Sequence, residues 1–350
     1  VSWVTVCKRF FEIKMNLSLV FTVLFAIFYF QPAVADQASA AKTVGPVVAQ
    51  DVGAWLRKLN ASSQRKAYTG TFVVSTAGSM SSARIWHVCD GEQQVERVDT
   101  LTGPARSTLR RNDEVVTFLP DTQVALLERR DALSLFPALL QPGDQAVGDF
   151  YALRPLTASD RVAGLLTDVH ELVPRDDWRF GYRVWSDRKT GLVLKLQTLD
   201  PERRVLEQVA FSELNMGAPV KAEHLLGMMN NRSGYTVHNL TTVRTTPLEQ
   251  GWRLKQPLPG FSSSGCHVRT FATWADQKNA PMQCVFSDGL ASISVFVEVF
   301  DASRHMGSGQ MASGATQSLS RRVGDHWVTF VGEVPAKTLA WFAHSLERTR

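Results

Sequence analysis

In residues 51–66 the apolar side chains fall at Val52, Trp55, Leu56 and Leu59, three and four apart, which predicts one amphipathic helix with Asp51 placed to cap it. The period then changes to two. Segments 71–76, 84–89, 94–98, 115–119, 124–129, 182–186, 192–198 and 205–214 read as strands, with Asp90-Gly91, Asn112-Asp113 and Lys189-Thr190-Gly191 as turns between them. A large antiparallel sheet is expected. Over 131–161 the alternation breaks into Leu133, Leu135, Phe136, Leu139 and Leu140, punctuated by Pro137 and Pro142, which predicts short helical or loop segments lying across that sheet. The stretch 217–246 has no firm period, and its one apolar cluster runs from Leu225 to Met229. It reads as a linker with at most one helical turn. From 247 onward a second unit is expected, with strands at 266–273, 282–286, 291–300, 315–323 and 326–331. A helix over 336–347 closes it, with Pro335 at its entry and Leu339, Phe342, Ala343 and Leu346 as its stripe. The fold class is α+β, with a larger domain over 36–216, a linker over 217–246 and a smaller α+β domain over 247–350.

The N-terminal 35 residues stand apart from this pattern. An uncharged run from Leu17 to Phe30 follows Lys8, Arg9 and Lys14 and precedes Ala33-Val34-Ala35, the layout of a secretory signal with cleavage after Ala35. Its 14 residues fall short of the roughly 20 that cross a bilayer. Export permits disulfides, and Cys89, Cys266 and Cys284 follow the leader. A hairpin turning near Gln277-Lys278 would set Cys284 opposite Phe271 and Cys266 near Gly289. A Cys266–Cys284 bond and three buried thiols therefore both stay open.

Composition adds exclusions. With 44% hydrophobic and 20% charged residues the chain is of the folded globular kind. A net charge of +5 over 350 residues gives no dense basic patch, so nucleic acid is not an expected partner. Ser63-Gln64-Arg65-Lys66 and Lys189-Thr190-Gly191 imitate the SxxK and KTG pair of penicillin-recognising enzymes. But Ser63 closes a helix rather than opening one, and Ser186-Asp187-Arg188 stands where SDN would be needed. The run Gly307-Ser308-Gly309-Gln310-Met311-Ala312 resembles a dinucleotide fingerprint but leads into a strand, and is expected to be a flexible loop. The eight histidines form no metal-binding spacing, Asp113-Glu114 and Asp176-Asp177 read as solvated turn residues, and no GxSxG occurs. No enzymatic activity, cofactor or metal is expected. What remains is apolar surface. Phe72, Val74, Trp86, Val88, Val116, Phe118, Tyr182, Val184, Leu194, Leu196, Val209 and Phe211 can share one face of a curved sheet, either as an ordinary core or as the lining of a cavity for acyl chains.

At these residues the chain resembles a known family. Tyr68-Thr69-Gly70-Thr71-Phe72 with Met80 and Arg84-Ile85, Asp90-Gly91 with Glu96-Arg97, Gly103-Pro104, Asp160-Arg161-Val162-Ala163-Gly164, Pro174-Arg175-Asp176 and Phe180-Gly181-Tyr182-Arg183-Val184-Trp185 are similar to the RseB/MucB family of periplasmic sigma-E regulators. Leu258-Pro259-Gly260-Phe261, Phe286-Ser287-Asp288-Gly289-Leu290 and Val331-Gly332-Glu333-Val334-Pro335 extend the resemblance to the C-terminal unit. Departures are the three cysteines and Phe286 in place of a usual tyrosine. The resemblance implies a half-open β-barrel closed partly by helices, similar to LolA and LppX. It implies binding to the periplasmic domain of an RseA/MucA-type anti-sigma factor, protection of that domain from proteolysis, and release by a lipid-bearing envelope ligand. A lipid or lipoprotein carrier without a regulatory partner is the alternative, and association of copies of the chain stays open. Within 247–350, the Ser287-Asp288-Gly289 turn and Arg321-Arg322 are the candidate partner contacts, and the flexible 217–246 segment would let the domains rearrange.

Overall fold

The computed structural model describes residues 51–349 except 91–92, 130–146, 272–279 and 306. The expected leader and the apolar cluster at 133–140 lie outside the described residues. Helix α1 (Val52–Arg65) comes first, as its stripe predicts, although Asp51 caps it by position alone, without a side-chain hydrogen bond. The strands β1 (Tyr68–Thr76), β2 (Ser79–Asp90), β3 (Gln93–Thr100), β4 (Ser107–Arg111), β5 (Glu114–Leu119) and β6 (Val124–Arg129) follow as a meander. After a short helix α2 (Val147–Phe150), a second meander runs through β7 (Tyr151–Val162), β8 (Leu165–Pro174), β9 (Gly181–Asp187), β10 (Val193–Leu199) and β11 (Val205–Met216). Pairing of β1 with β11 joins the two into the order β7-β8-β9-β10-β11-β1-β2-β3-β4-β5-β6, antiparallel throughout. The sheet curls without closing, a half-open barrel.

Two expectations fail here. The region 131–161 was expected to lack strands, yet residues 151–162 form β7 at the end of the ladder, where Pro155 is tolerated because one side of the strand needs no donor. The expected linker over 217–246 instead carries helix α3 (Ala222–Asn230) and strand β12 (Thr236–Thr245). The first half of β12 (residues 236–239) pairs in parallel with β6 and its second half (residues 240–245) antiparallel with β14 (Ser262–Phe271). Backbone pairing to two successive partners makes this Thr-rich segment a strand, and hydrophobic alternation has no part in it.

From β14 the sheet continues through β15 (Met282–Ser287), β16 (Ser292–Val299), β19 (His326–Gly332), β18 (Thr316–Val323) and β17 (Gly309–Ser313), so that eighteen strands form one continuous sheet. The glycine-containing segment expected as a loop thus supplies β17. Helix α4 (Ala336–Ser345) lies on this part, burying Leu339, Phe342 and Ala343 against Phe261, Phe286, Ile293, Val295 and Phe330. A small ladder of β13 (Trp252–Leu254) with β20 (Leu346–Arg348) closes the end. In the β14–β15 hairpin Cys266 stands directly opposite Cys284, and the two are bonded. The register assumed from a turn at Gln277-Lys278 is therefore corrected: Cys284 faces Cys266 rather than Phe271, with His267 opposite Gln283 and Val268 opposite Met282.

Candidate functional site

The twelve apolar residues expected on one face occupy two. In the β1–β2 ladder Phe72 stands opposite Ala83 and Thr69 opposite Trp86, so Trp86 and Val88 point away from the side that holds Phe72 and Val74. The two-residue turn Ala77-Gly78 sets that register, and a shift of one residue is all that separates the faces. On the first face Phe72 meets Phe211 edge-on at 6.4 Å, and Ile85 and Leu194 fill the space beside them. Tyr182, Val184 and Leu196 continue this side beneath Trp55, Leu56 and Leu59 of α1. Val184 and Leu194 are 0% exposed and Phe211 is 3%, the packing of a filled core. On the second face Trp86 and Val88 lie under Leu225 of α3, and Val116 and Phe118 under Met229.

An open groove of about 580 Å³ runs between that second face and the entry to α3. Trp86, Leu225 and Met228 give it apolar walls, and Arg97, Lys221 and His224 give it cationic or polar ones. The Arg97 guanidinium sits 5.0 Å over the Trp86 ring and pairs with Asp99 at 2.7 Å. An apolar floor rimmed by cations suits an amphipathic molecule with an acidic head.

The expected partner contacts are placed differently. Ser287, Asp288 and Gly289 are buried, so this turn is not an exposed contact surface. Asp288 caps its own turn by accepting from the backbone N–H groups of Leu290 and Ala291. Its other oxygen receives Arg179 Nε at 2.6 Å and the Tyr151 hydroxyl at 3.2 Å. Burial first, then Tyr182 and Asp288, push the Tyr151 hydroxyl far above its ordinary pKa, which keeps it a donor. Arg179 also donates from Nη1 to Asp176 at 2.5 Å and from Nη2 to the Pro259 carbonyl at 2.6 Å, with the Phe150 and Phe261 rings at 4.3 and 4.8 Å. Asp176 is thus an ion-pair partner rather than a merely solvated turn residue; its neighbour Asp177, which is exposed, pairs with Lys337 of α4. Gly289 has φ +96°, and a Cβ there would lie 2.8 Å from Val147, so only glycine allows this approach. Arg321 and Arg322, adjacent on β18, part company: Arg321 turns toward the Leu346 carbonyl, whereas exposed Arg322 stacks 3.9 Å over Phe300.

Sequence reasoning missed Arg179 and the group of Arg154, Arg183 and Arg203 around Glu171. Arg179 lies between Trp178 and Phe180 in a segment with no period, and beyond the nearby Asp176 its partners are 80 and 109 residues away. No local signal marks it.

Known proteins agree with this architecture. Residues 51–229 match the model of the MucB/RseB N-terminal domain and residues 246–347 that of the MucB/RseB C-terminal domain. The sigma factor AlgU regulatory protein MucB of Pseudomonas aeruginosa is 29% identical over 305 residues, covering 85% of this chain and 91% of that protein. The sigma-E factor regulatory protein RseB of Escherichia coli K12 is 24% identical over 301 residues, covering 84% and 90%. The structure of the Pseudomonas aeruginosa MucA/MucB complex superposes with a TM-score of 0.64 at 28% identity, covering 86% of this chain and 99% of that one.

Proposed function

Since this chain belongs to the MucB/RseB family, we propose that it is a periplasmic negative regulator of a sigma-E type envelope stress response. It binds the periplasmic part of an RseA/MucA-type anti-sigma factor, shields it from proteolysis, and lets it go when a lipid-bearing envelope molecule arrives. It acts by binding rather than by catalysis. The observation that carries this reading is that both family segments are present in order, in a chain that superposes on a MucB held in complex with MucA.

The lipid has two candidate seats. The side lined by Phe72, Val74, Tyr182, Val184, Leu194, Leu196, Val209 and Phe211 is filled by its own side chains and by α1, so an acyl chain would have to displace packing there. The groove beside Trp86 is open already and offers cations for an acidic head, which favours it as the point of entry. A ligand displaces a partner only through its differential affinity for the free and partner-bound forms, so the partner must weaken lipid binding by the same factor that the lipid weakens partner binding. The test is the affinity for the anti-sigma periplasmic domain with and without lipid, in the native chain and in Trp86→Ala. Regulation requires that lipid weaken the complex and that Trp86→Ala blunt this effect. Lipid binding without any anti-sigma affinity would instead make the chain a carrier.

A further inference from the structure

On the side of the sheet away from Val184, strand register sets Arg154, Glu171, Arg183, Gln197 and Gln208 in one row from β7 to β11. Glu171 is 1% exposed and accepts from three guanidinium groups. Arg183 donates to it from Nε at 2.9 Å and Nη2 at 2.7 Å, Arg203 Nη2 bridges its two oxygens at 2.7 and 2.8 Å, and Arg154 donates from Nη2. Arg203 reaches the row from the β10–β11 turn with φ 65°, a conformation uncommon for a residue with a Cβ, so the turn itself is shaped to bring this side chain back over the sheet.

One carboxylate leaves three guanidinium groups with a surplus of positive charge. Arg154 and Arg203, with side chains 45% and 53% exposed, each give Glu171 only one of their nitrogens. Beside the row, Gln197 and Gln208 join Ser75, Thr76 and Val205 around a recess of about 260 Å³. A buried carboxylate has about four acceptor positions, and the three forks fill them while the remaining nitrogens of half-exposed Arg154 and Arg203 stay turned from Glu171. Three forks gathered on one buried anion are the arrangement that recognises a dianion, with the buried carboxylate holding the forks in place.

We propose that Arg154, Arg183 and Arg203, positioned by Glu171, form a binding site for a doubly charged oxyanion of the phosphate class, whose carrier settles against Gln197 and Gln208. Arg154 and Arg203 donate to the oxyanion, and Glu171 is a positioning residue. The site lies apart from the Trp86 groove, and its assignment does not depend on the regulatory reading. Free phosphate and a phosphate-bearing lipid headgroup share this chemistry.

The experiment is calorimetric titration of the full chain with inorganic phosphate against chloride at equal ionic strength, alongside sedimentation with phosphatidylcholine vesicles that contain or lack phosphatidic acid. Arg203→Gln should weaken the oxyanion about ten-fold, the loss expected for one hydrogen bond to a charged group. Arg154→Gln provides the same reading if Arg203→Gln does not fold. The side-chain N–H resonances of Arg183 should move on phosphate addition, which a purely structural network would not produce. Saturable binding of phosphate, of phosphatidic acid vesicles or of both, weakened by either variant, supports the site and tells free from lipid-borne anion. Binding no tighter than chloride, or binding by both variants equal to that of the native chain, would overturn it.

Discussion

Every guanidinium nitrogen of Arg179 has a protein acceptor, and its side chain and that of Asp288 are both 0% exposed. Removing one member of such a pair strands a charge in low dielectric. Arg179→Ala should therefore cost ~3–5 kcal/mol in urea denaturation, whereas the joint change Arg179→Met with Asp288→Leu should restore much of it. Glu171 makes a pH prediction. Burial opposes its charge, but the hydrogen bonds from Arg154, Arg183 and Arg203 outweigh that and hold its carboxyl down at about 2. A folded pKa depressed below the unfolded value contributes stability above the ordinary carboxylate range, and that stability is lost as pH falls toward the folded value. Glu171→Gln should thus lower stability at neutral pH and flatten the decline on acidification between the ordinary carboxylate range and about 2, measured as denaturation midpoint against pH.

At the scale of elements, the β14–β15 hairpin is closed by Cys266–Cys284, 18 residues apart. Constraining a loop of this size limits the unfolded chain, so reductant should lower stability by about 3 kcal/mol. Cys284→Ala should be equally destabilised and no longer respond to reductant. Helix α3 is the cover of the second face, and its Leu225 is 1% exposed against Val88 and Val95. Leu225→Ala should cost ~2–4 kcal/mol and open the Trp86 groove further, read by denaturation and by quenching of Trp86 fluorescence. An unstructured linker would tolerate the same change.

For the whole molecule, Ala49–Arg350 is one compact unit, and several features tie its parts, two of them central. Parallel pairing of β12 with β6 makes the sheet continuous, and the Arg179 cluster joins the segment before β9 to the loops that flank β14 and β15. Calorimetry should accordingly show one unfolding transition for the native chain. Arg179→Ala should split it in two, whereas domains joined by a flexible linker would give two from the start. Rearrangement on ligand binding would then have to break or bypass the Arg179 cluster, because α3 and β12 hold most of residues 217–246 in place.

The sequence by itself determined α1, α4 and most strands, because amphipathic period is written locally in residues such as Val52, Leu56, Leu339 and Phe342. The same local record shows that Phe72 and Trp86 are both apolar strand residues. Only tertiary structure decided that they face opposite ways, since that depends on the register of a two-residue turn. β12 escaped notice because its partners, β6 and β14, define it through backbone bonds that no side-chain pattern encodes. Asp288, expected as a partner contact, is a buried ion-pair partner, and Glu171 gathers arginines from β7, β9 and the β10–β11 turn. Charges are visible in a sequence, but their pairing and burial are properties of neighbours that the chain brings together only on folding.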